Sequence, residues 1–346
     1  MLCLVSPESR VPPDHPMRAI KKLAERALHE LSPVFDEMYA DSGRPSVPPE
    51  RLLKGLLLIA LYSIRSERQF CEQLDYNLLF RWFLDMDMME PAFDASTFSR
   101  NRERLMEHEV AALFFAAVRD QGAELMSREH FSVDGTLLDA WASLKSFRPK
   151  GEDDDGDGNG WGQFRGEKRS NETHESKTDP ESKLARKGDG QAAKLSFYAH
   201  ALMENRNGLL VSLLVTEANG TAERDAAIEM VAEQTDGSRV TLGADKGYDT
   251  RDFVARCREH GVTPHVAKNQ HARRRSAIDA RTTRHIGYDL SQRVRKRVEQ
   301  IWGWMKTTGG LRKTRYRGVR RTQLAAHFIG SAYNLLRIAK LSAGAM

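Results

Sequence analysis

Apolar residues recur at helical spacing through most of residues 14–125. The runs RAIKKLAERALHELSPVFDEMYA, RLLKGLLLIALYSI and SERQFCEQLDYNLLFRWFL carry that period, and Ser46 ahead of Pro48 and Pro49 marks the start of the second. Pro91 interrupts the pattern, and a further helix is expected from near Ser96 in DASTFSRNRERLMEH. An all-α N-terminal domain over 1–125 follows. Short helices with short connections suit a helix-turn-helix-like DNA-binding module with Ser99, Arg100, Arg102 and Arg104 as its basic edge. They suit a bundle used for dimerisation equally well.

The period changes at Phe131, where FSVDGTLLDAW reads as a strand containing Asp134. Residues 147–190 lack periodicity and are rich in Gly, Asp, Lys and Ser, so a long, flexible, polar insertion is expected there. KLSFYAHALMEN and GLLVSLLVTEA then form a hairpin across Asn207-Gly208. TAERDAAIEMVAEQ is helical, RVTLGAD is a strand ending at Asp245, and RDFVARCREH is a helix capped by Asp249 or Thr250 and stopped by Gly261. VTPHVAK is a short strand, and a helix bearing Glu299 follows a basic loop. Residues 126–346 are therefore expected to form one α/β domain, a mixed sheet flanked by helices. This order resembles the ribonuclease H-like fold, in which the first and fourth strands lie side by side. The resemblance implies that Asp134 and Asp245 meet.

Charge narrows the function. The chain of 346 residues is only +5 overall, but residues 268–321 hold 17 Lys and Arg against 3 acids, a surface for a polyanion. Cys3, Cys71 and Cys257 imply no disulfide framework, and Cys257 with His260 and His265 lacks a fourth ligand at finger spacing. The start MLCLVSPESR is not a secretory signal, and LLKGLLLIALYSI is too short to span a bilayer, so no membrane partner is expected. A cytoplasmic, nucleoid-associated setting fits. DDDGDGNGWGQF matches the first half of a calcium loop from Asp153 to Gly158, but Phe164 stands where the bidentate Glu belongs, and the match reads as fortuitous.

Three acids carry candidate chemistry. Asp134 could be a turn residue, Asp245 a cap and Glu299 a partner for Arg295; only their joint placement on this strand order suggests a site. On the Glu299 helix, Val294, Val298, Ile301 and Met305 form an apolar stripe. Arg295, Glu299, Trp302 and Lys306 form its neighbour, with Lys306 roughly 10 Å beyond Glu299 at about 1.5 Å per residue. Trp302 or Trp304 could stack on an unpaired base, or pack in the core. No nucleophilic triad and no GxxxxGK[ST] phosphate loop occurs, so no nucleotide cofactor is expected. From residues alone, a metal-dependent nuclease-like enzyme follows. Three carboxylates suffice for about two Mg²⁺ ions, with Mn²⁺ substituting.

The chain resembles bacterial insertion-sequence DDE transposases of the group without a large insertion between the second Asp and the Glu. The resemblance rests on SVPPERLLKGLLLIALYSIRSERQFCEQL, VDGTLLDAWAS, THESKTDP with KLSFYAHALMENRNG, GADKGYD, and RVRKRVEQIWGWMKTTGGLRKTRYRG. It implies Asp134, Asp245 and Glu299 as catalytic metal ligands, and Arg295 and Lys306 as contacts to terminal DNA. Trp302, Arg297, Arg312 and Lys313 are further DNA-contact candidates. Gln292 occupies the family's tyrosine position. The implied reaction cleaves element ends and joins their 3′-hydroxyls to target DNA. The implied partners are double-stranded DNA, as terminal inverted repeats and target, and a second copy in a homodimer on DNA. Presence of all three acids suggests a full-length product. The alternatives are a stand-alone nuclease of the same fold, and a transposase-derived regulator with an idle site.

Overall fold

The helical pattern of the first third translates into helices, with finer breaks than the period alone specifies. A computed structural model describes residues 6–38, 47–151, 169–188, 190–270 and 275–344; Ser46 and the calcium-loop match at Asp153–Gly158 lie outside them. Helix α1 (Met17–Glu30) buries Ile20, Ala24, Ala27 and Leu28 on one stripe. Helix α2 (Pro49–Leu61) starts on Pro49, whose missing N–H costs nothing in a first turn. The run from Ser66 to Leu84 splits into two short helices because Asn77 intervenes; its Oδ1 accepts the amides of Leu79 and Phe80. Helices α3 (Ser96–Glu107) and α4 (Val110–Gln121) part at Glu109, a left-handed residue at φ 50°.

The sheet is built from β1 (His130–Asp139), β2 (Lys194–Glu204), β3 (Leu210–Glu217), β4 (Val240–Ala244) and β5 (Val262–Val266). Their order is β3-β2-β1-β4-β5, with β1, β4 and β5 parallel and β2 antiparallel to both its long neighbours. This is the ribonuclease H-like arrangement, a mixed α/β fold behind a helical N-terminal region. The expected hairpin forms around Gly208 at φ 76°. Its loop is clamped by the buried Glu204 carboxylate, which accepts the amides of Ser127, Arg206, Asn207 and Leu209.

Strand alternation gives the sheet two apolar faces. Val133, Leu202 and Leu242 pack on one side with α5 (Ala222–Ala232) and α6 (Arg251–Glu259). Phe197, Ala199, Ala201 and Leu213 pack on the other with the N-terminal helices, α8 (Val298–Thr307) and α9 (Val319–Ala343), in one continuous core. Helix α9 evades a periodicity reading because its buried residues include polar Thr322, Ser331 and Asn334; the Asn334 amide brackets Leu210 of β3.

Two expectations need correction. The helix carrying Glu299 is not continuous: α7 (Ile286–Val294) and α8 are separated by a 3₁₀ turn at Arg295–Arg297. Residues 147–190 are not featureless either. Among those described, Phe147–Pro149 pairs with His174–Ser176, and Lys183–Ala185 pairs with the start of β2. His174, Ser176, Asp179 and Ser182 are buried there. Three-residue strands are too short to show a period. No helix among the described residues is long and apolar enough to cross a membrane.

Candidate active site

Register places the two strand aspartates. Ser132 of β1 stands opposite Gly243 of the parallel β4, so the same register carried on two residues sets Asp134 abreast of Asp245 on one side of the sheet. Gly243 has a packing reason: a Cβ there would meet Ser132 Oγ at 3.0 Å and Arg295 Cβ at 3.5 Å. Asp245 leaves the strand in extended conformation and accepts the Gly247 amide at 2.6 Å, capping the 3₁₀ turn Lys246–Tyr248. Thr250 then caps α6 through the Phe253 amide. Asp249 does not cap; it holds the following loop through the amides of Asn269 and Ala277.

These two aspartates line one cleft of about 600 Å³ with Glu299, Trp302, Lys306, Arg312, Lys187 and Glu223. Helix α8 forms one wall and is pinned to β1 by Lys306, whose Nζ donates to Thr136 Oγ1 at 2.5 Å and to the Leu137 carbonyl at 2.8 Å. Burial lowers the Lys306 pKa, and Lys187 adds to that. Asp134 is pushed up to about 7, first by burial and then by the charges of Glu223 and Asp245, with Glu299 contributing least. Burial and Asp245 likewise raise Glu223.

The sequence reading missed Glu223. It sits in the first turn of α5, where an acid is the ordinary complement to a helix dipole, so nothing in the sequence singles it out. It reaches the cleft over Gly135: a Cβ at that position would lie 2.7 Å from Glu223 Oε1.

The other candidates divide. Trp302 lines the cleft but is only 5% exposed, packed in the core with Ile301 and Met305; it offers no face to a base. Trp304 packs edge-on against Tyr333. The accessible aromatic here is Trp141, 52% exposed just beyond β1, with Lys313 Nζ 4.8 Å above its ring. Asp139 of β1 pairs with the Arg312–Thr314 backbone, which sets Trp141 and Lys313 beside the cleft rim at Arg312. Arg295 and Arg297 fall outside the cleft. Arg295 donates to Gln292 Oε1 at 2.8 Å, and Gln292 in turn binds the His265 carbonyl at 2.5 Å. Arg297 leans on the carbonyls of Asn205 and Arg206.

The donor set is all oxygen, which suits a hard divalent cation such as Mg²⁺ or Mn²⁺. Among the described residues, no three ligating side chains stand close enough to hold one ion as they are placed. Carboxylates repel one another, and after burial that repulsion is the next cause of the raised Asp134. The excess negative charge at a partly buried site fits a cation that would draw the groups together.

A family described as transposase DDE domain matches residues 155–335, and a transposase domain family (DUF772) matches residues 5–104. No curated protein matches the chain. Among solved structures, a cryo-EM piggyBac transposase synaptic complex with hairpin DNA is 11% identical at TM-score 0.43, covering 95% of this chain and 76% of that one. A pre-cleavage Mos1 transpososome is 10% identical at TM-score 0.21, covering 89% and 82%. A Mos1 mariner paired end complex with Mn is 10% identical at TM-score 0.22, covering 93% and 87%.

Proposed function

Because the chain belongs to the transposase DDE domain family, we propose that its acidic cleft cuts and joins DNA strands, with Asp134, Asp245 and Glu299 as the ligands of about two Mg²⁺ ions, Mn²⁺ serving in their place. The observation that carries this reading is the β1–β4 register, which sets Asp134 abreast of Asp245 beneath the helix that presents Glu299 and Lys306. Bound cations would supply a more acidic attacking hydroxyl and charge stabilisation for the leaving oxygen.

The residues of the chain do the remainder. In the first step water oxygen bonds to the phosphorus at an element end, and the 3′ oxygen leaves with a proton as a hydroxyl. In the second, that hydroxyl attacks a target phosphodiester and displaces a target 3′ oxygen, which takes up the proton. Arg312 and Lys187 line the cleft and draw the phosphates in. Lys306 holds the α8 wall against β1 and adds its charge. Base stacking falls to Trp141 on the rim, since Trp302 takes the core position that was its alternative. Residues 1–125 serve in DNA binding or dimerisation and 126–346 in catalysis, and two copies act together on paired ends.

Incubation with a labelled fragment bearing the element's terminal repeats, a supercoiled plasmid and Mn²⁺ tests this. The expected product is plasmid covalently carrying the label, lost with Asp134→Asn while DNA binding persists. Cutting without joining would indicate a nuclease. Binding with no strand breakage would indicate a regulator.

A further inference from the structure

We infer that Glu223 is a fourth carboxylate of the cation site, delivered from the opposite face of the sheet and oriented by the Tyr248 hydroxyl. The inference rests on the three-acid reading and adds to it a ligand from a separate element. Three independent features support it.

Helix α5 packs on the sheet face away from α8, yet Glu223 reaches the cleft because Gly135 has no side chain. A Cβ on residue 135 would stand 2.7 Å from Glu223 Oε1 and 3.0 Å from its Cγ, closer than real Cβ contacts come. Gly135 has an ordinary negative φ, so backbone freedom does not call for a glycine at this position. The three atoms nearest to that position all belong to the Glu223 side chain.

Tyr248 is the second feature. It is fully buried, and its hydroxyl has no hydrogen-bond partner. The phenol lies against the Glu223 carboxylate, close enough for a weak, distorted interaction but not for a hydrogen bond of ordinary geometry, with Asp134 and Asp245 nearby. A buried hydroxyl without a well-formed hydrogen bond is destabilising and is rarely left so without a reason. A small swing of Glu223 toward a cation would let the hydroxyl donate to one carboxylate oxygen while the other binds metal, the usual outer support of a ligating carboxylate.

The third feature is position. Glu223 lines the same cleft as Asp134, Asp245 and Glu299, so a carboxylate from a fourth element can take a coordination position that three acids would leave to water.

The test is Mn²⁺ binding to the 346-residue, DNA-free chain, measured by calorimetry and by the Mn²⁺ paramagnetic resonance signal. Glu223→Gln, nearly isosteric, should weaken at least one Mn²⁺ at least tenfold, and Glu223→Asp should fall between it and the parent. Tyr248→Phe should weaken Mn²⁺ binding too, yet leave the urea midpoint of the metal-free protein near the parent's, since the hydroxyl makes at most a weak, distorted contact there. A merely structural tyrosine would lower stability instead. Glu223→Gln binding Mn²⁺ like the parent, with Asp134→Asn impaired, would overturn this inference and leave the three-acid site standing. Unchanged binding in both variants would overturn the three-acid reading itself.

Discussion

Lys306→Met separates two roles that one residue combines. In the free protein the ammonium is half-buried and bonded to Thr136 Oγ1 and the Leu137 carbonyl, so it braces α8 against β1 before any DNA arrives. A hydrogen bond from a charged donor contributes about 1.5–3 kcal/mol when sheltered. Partial exposure and the cost of desolvating the ammonium, visible in its lowered pKa, reduce that to about 1 kcal/mol each. Methionine keeps the packed stem and removes both bonds, so the loss should be about 2 kcal/mol. Urea unfolding followed by tryptophan emission reads it directly. The midpoint should fall with the slope unchanged. DNA binding measured well below that midpoint should weaken with a shallower salt dependence, because one cation is gone. A midpoint equal to the parent's would refute the bracing argument, whatever happens to DNA binding.

Other consequences follow from the same geometry. Asp134 titrates near 7 in the folded chain against 3.8 for an exposed aspartate, so its contribution to metal-free stability is complete below about pH 4 and is lost as pH rises through about 7. The urea midpoint difference between parent and Asp134→Asn should therefore move against the parent from pH 4 to 8, and a pH-independent difference would contradict the burial argument. Near pH 7 about half a proton should leave on Mn²⁺ binding, seen as a buffer-dependent calorimetric heat. Gly135→Ala should displace Glu223 with little loss of stability while lowering Mn²⁺ affinity; unchanged affinity would show that the gap is not needed. Trp141→Ala should weaken binding of unpaired DNA ends by about 1–3 kcal/mol without destabilising the fold. Trp302→Ala should destabilise by about 3–5 kcal/mol, as loss of a core aromatic does.

Much of the fold was legible because strands and loops here carry local signals. The change of period at FSVDGTLLDAW, Asn207-Gly208 between apolar runs, and Gly261 after RDFVARCREH each act over a few residues, and each appears where expected. The pairing of the strands that carry Asp134 and Asp245 was not in those local signals; it was implied by the resemblance of the element order to the ribonuclease H-like fold. What stayed hidden depends on tertiary partners. Trp302 sits on the expected stripe, yet it is buried in the core shared by the sheet and the helices on that face. The basic surplus of residues 268–321 is partly spent inside the chain: Arg315 binds the Ile64 carbonyl, Arg320 the Met106 carbonyl, and Arg321 the Glu103 carboxylate. Residue type alone cannot separate such arginines from those that face DNA. Glu223 was hidden for the same reason, since a first-turn acid looks alike whether it caps a dipole or enters a cleft.

The central claim is that Asp134, Asp245 and Glu299 act together on a phosphodiester with a divalent cation. Nucleotide-level mapping of breaks on a terminal-repeat fragment, with Mg²⁺ and then with chelator, tests it most directly for the parent and for Asp134→Asn, Asp245→Asn and Glu299→Gln. The account predicts breaks leaving 3′-hydroxyls at the element ends in the parent with Mg²⁺, and none in chelator or in any of the three variants. Parent-level cleavage by any one of them would contradict it.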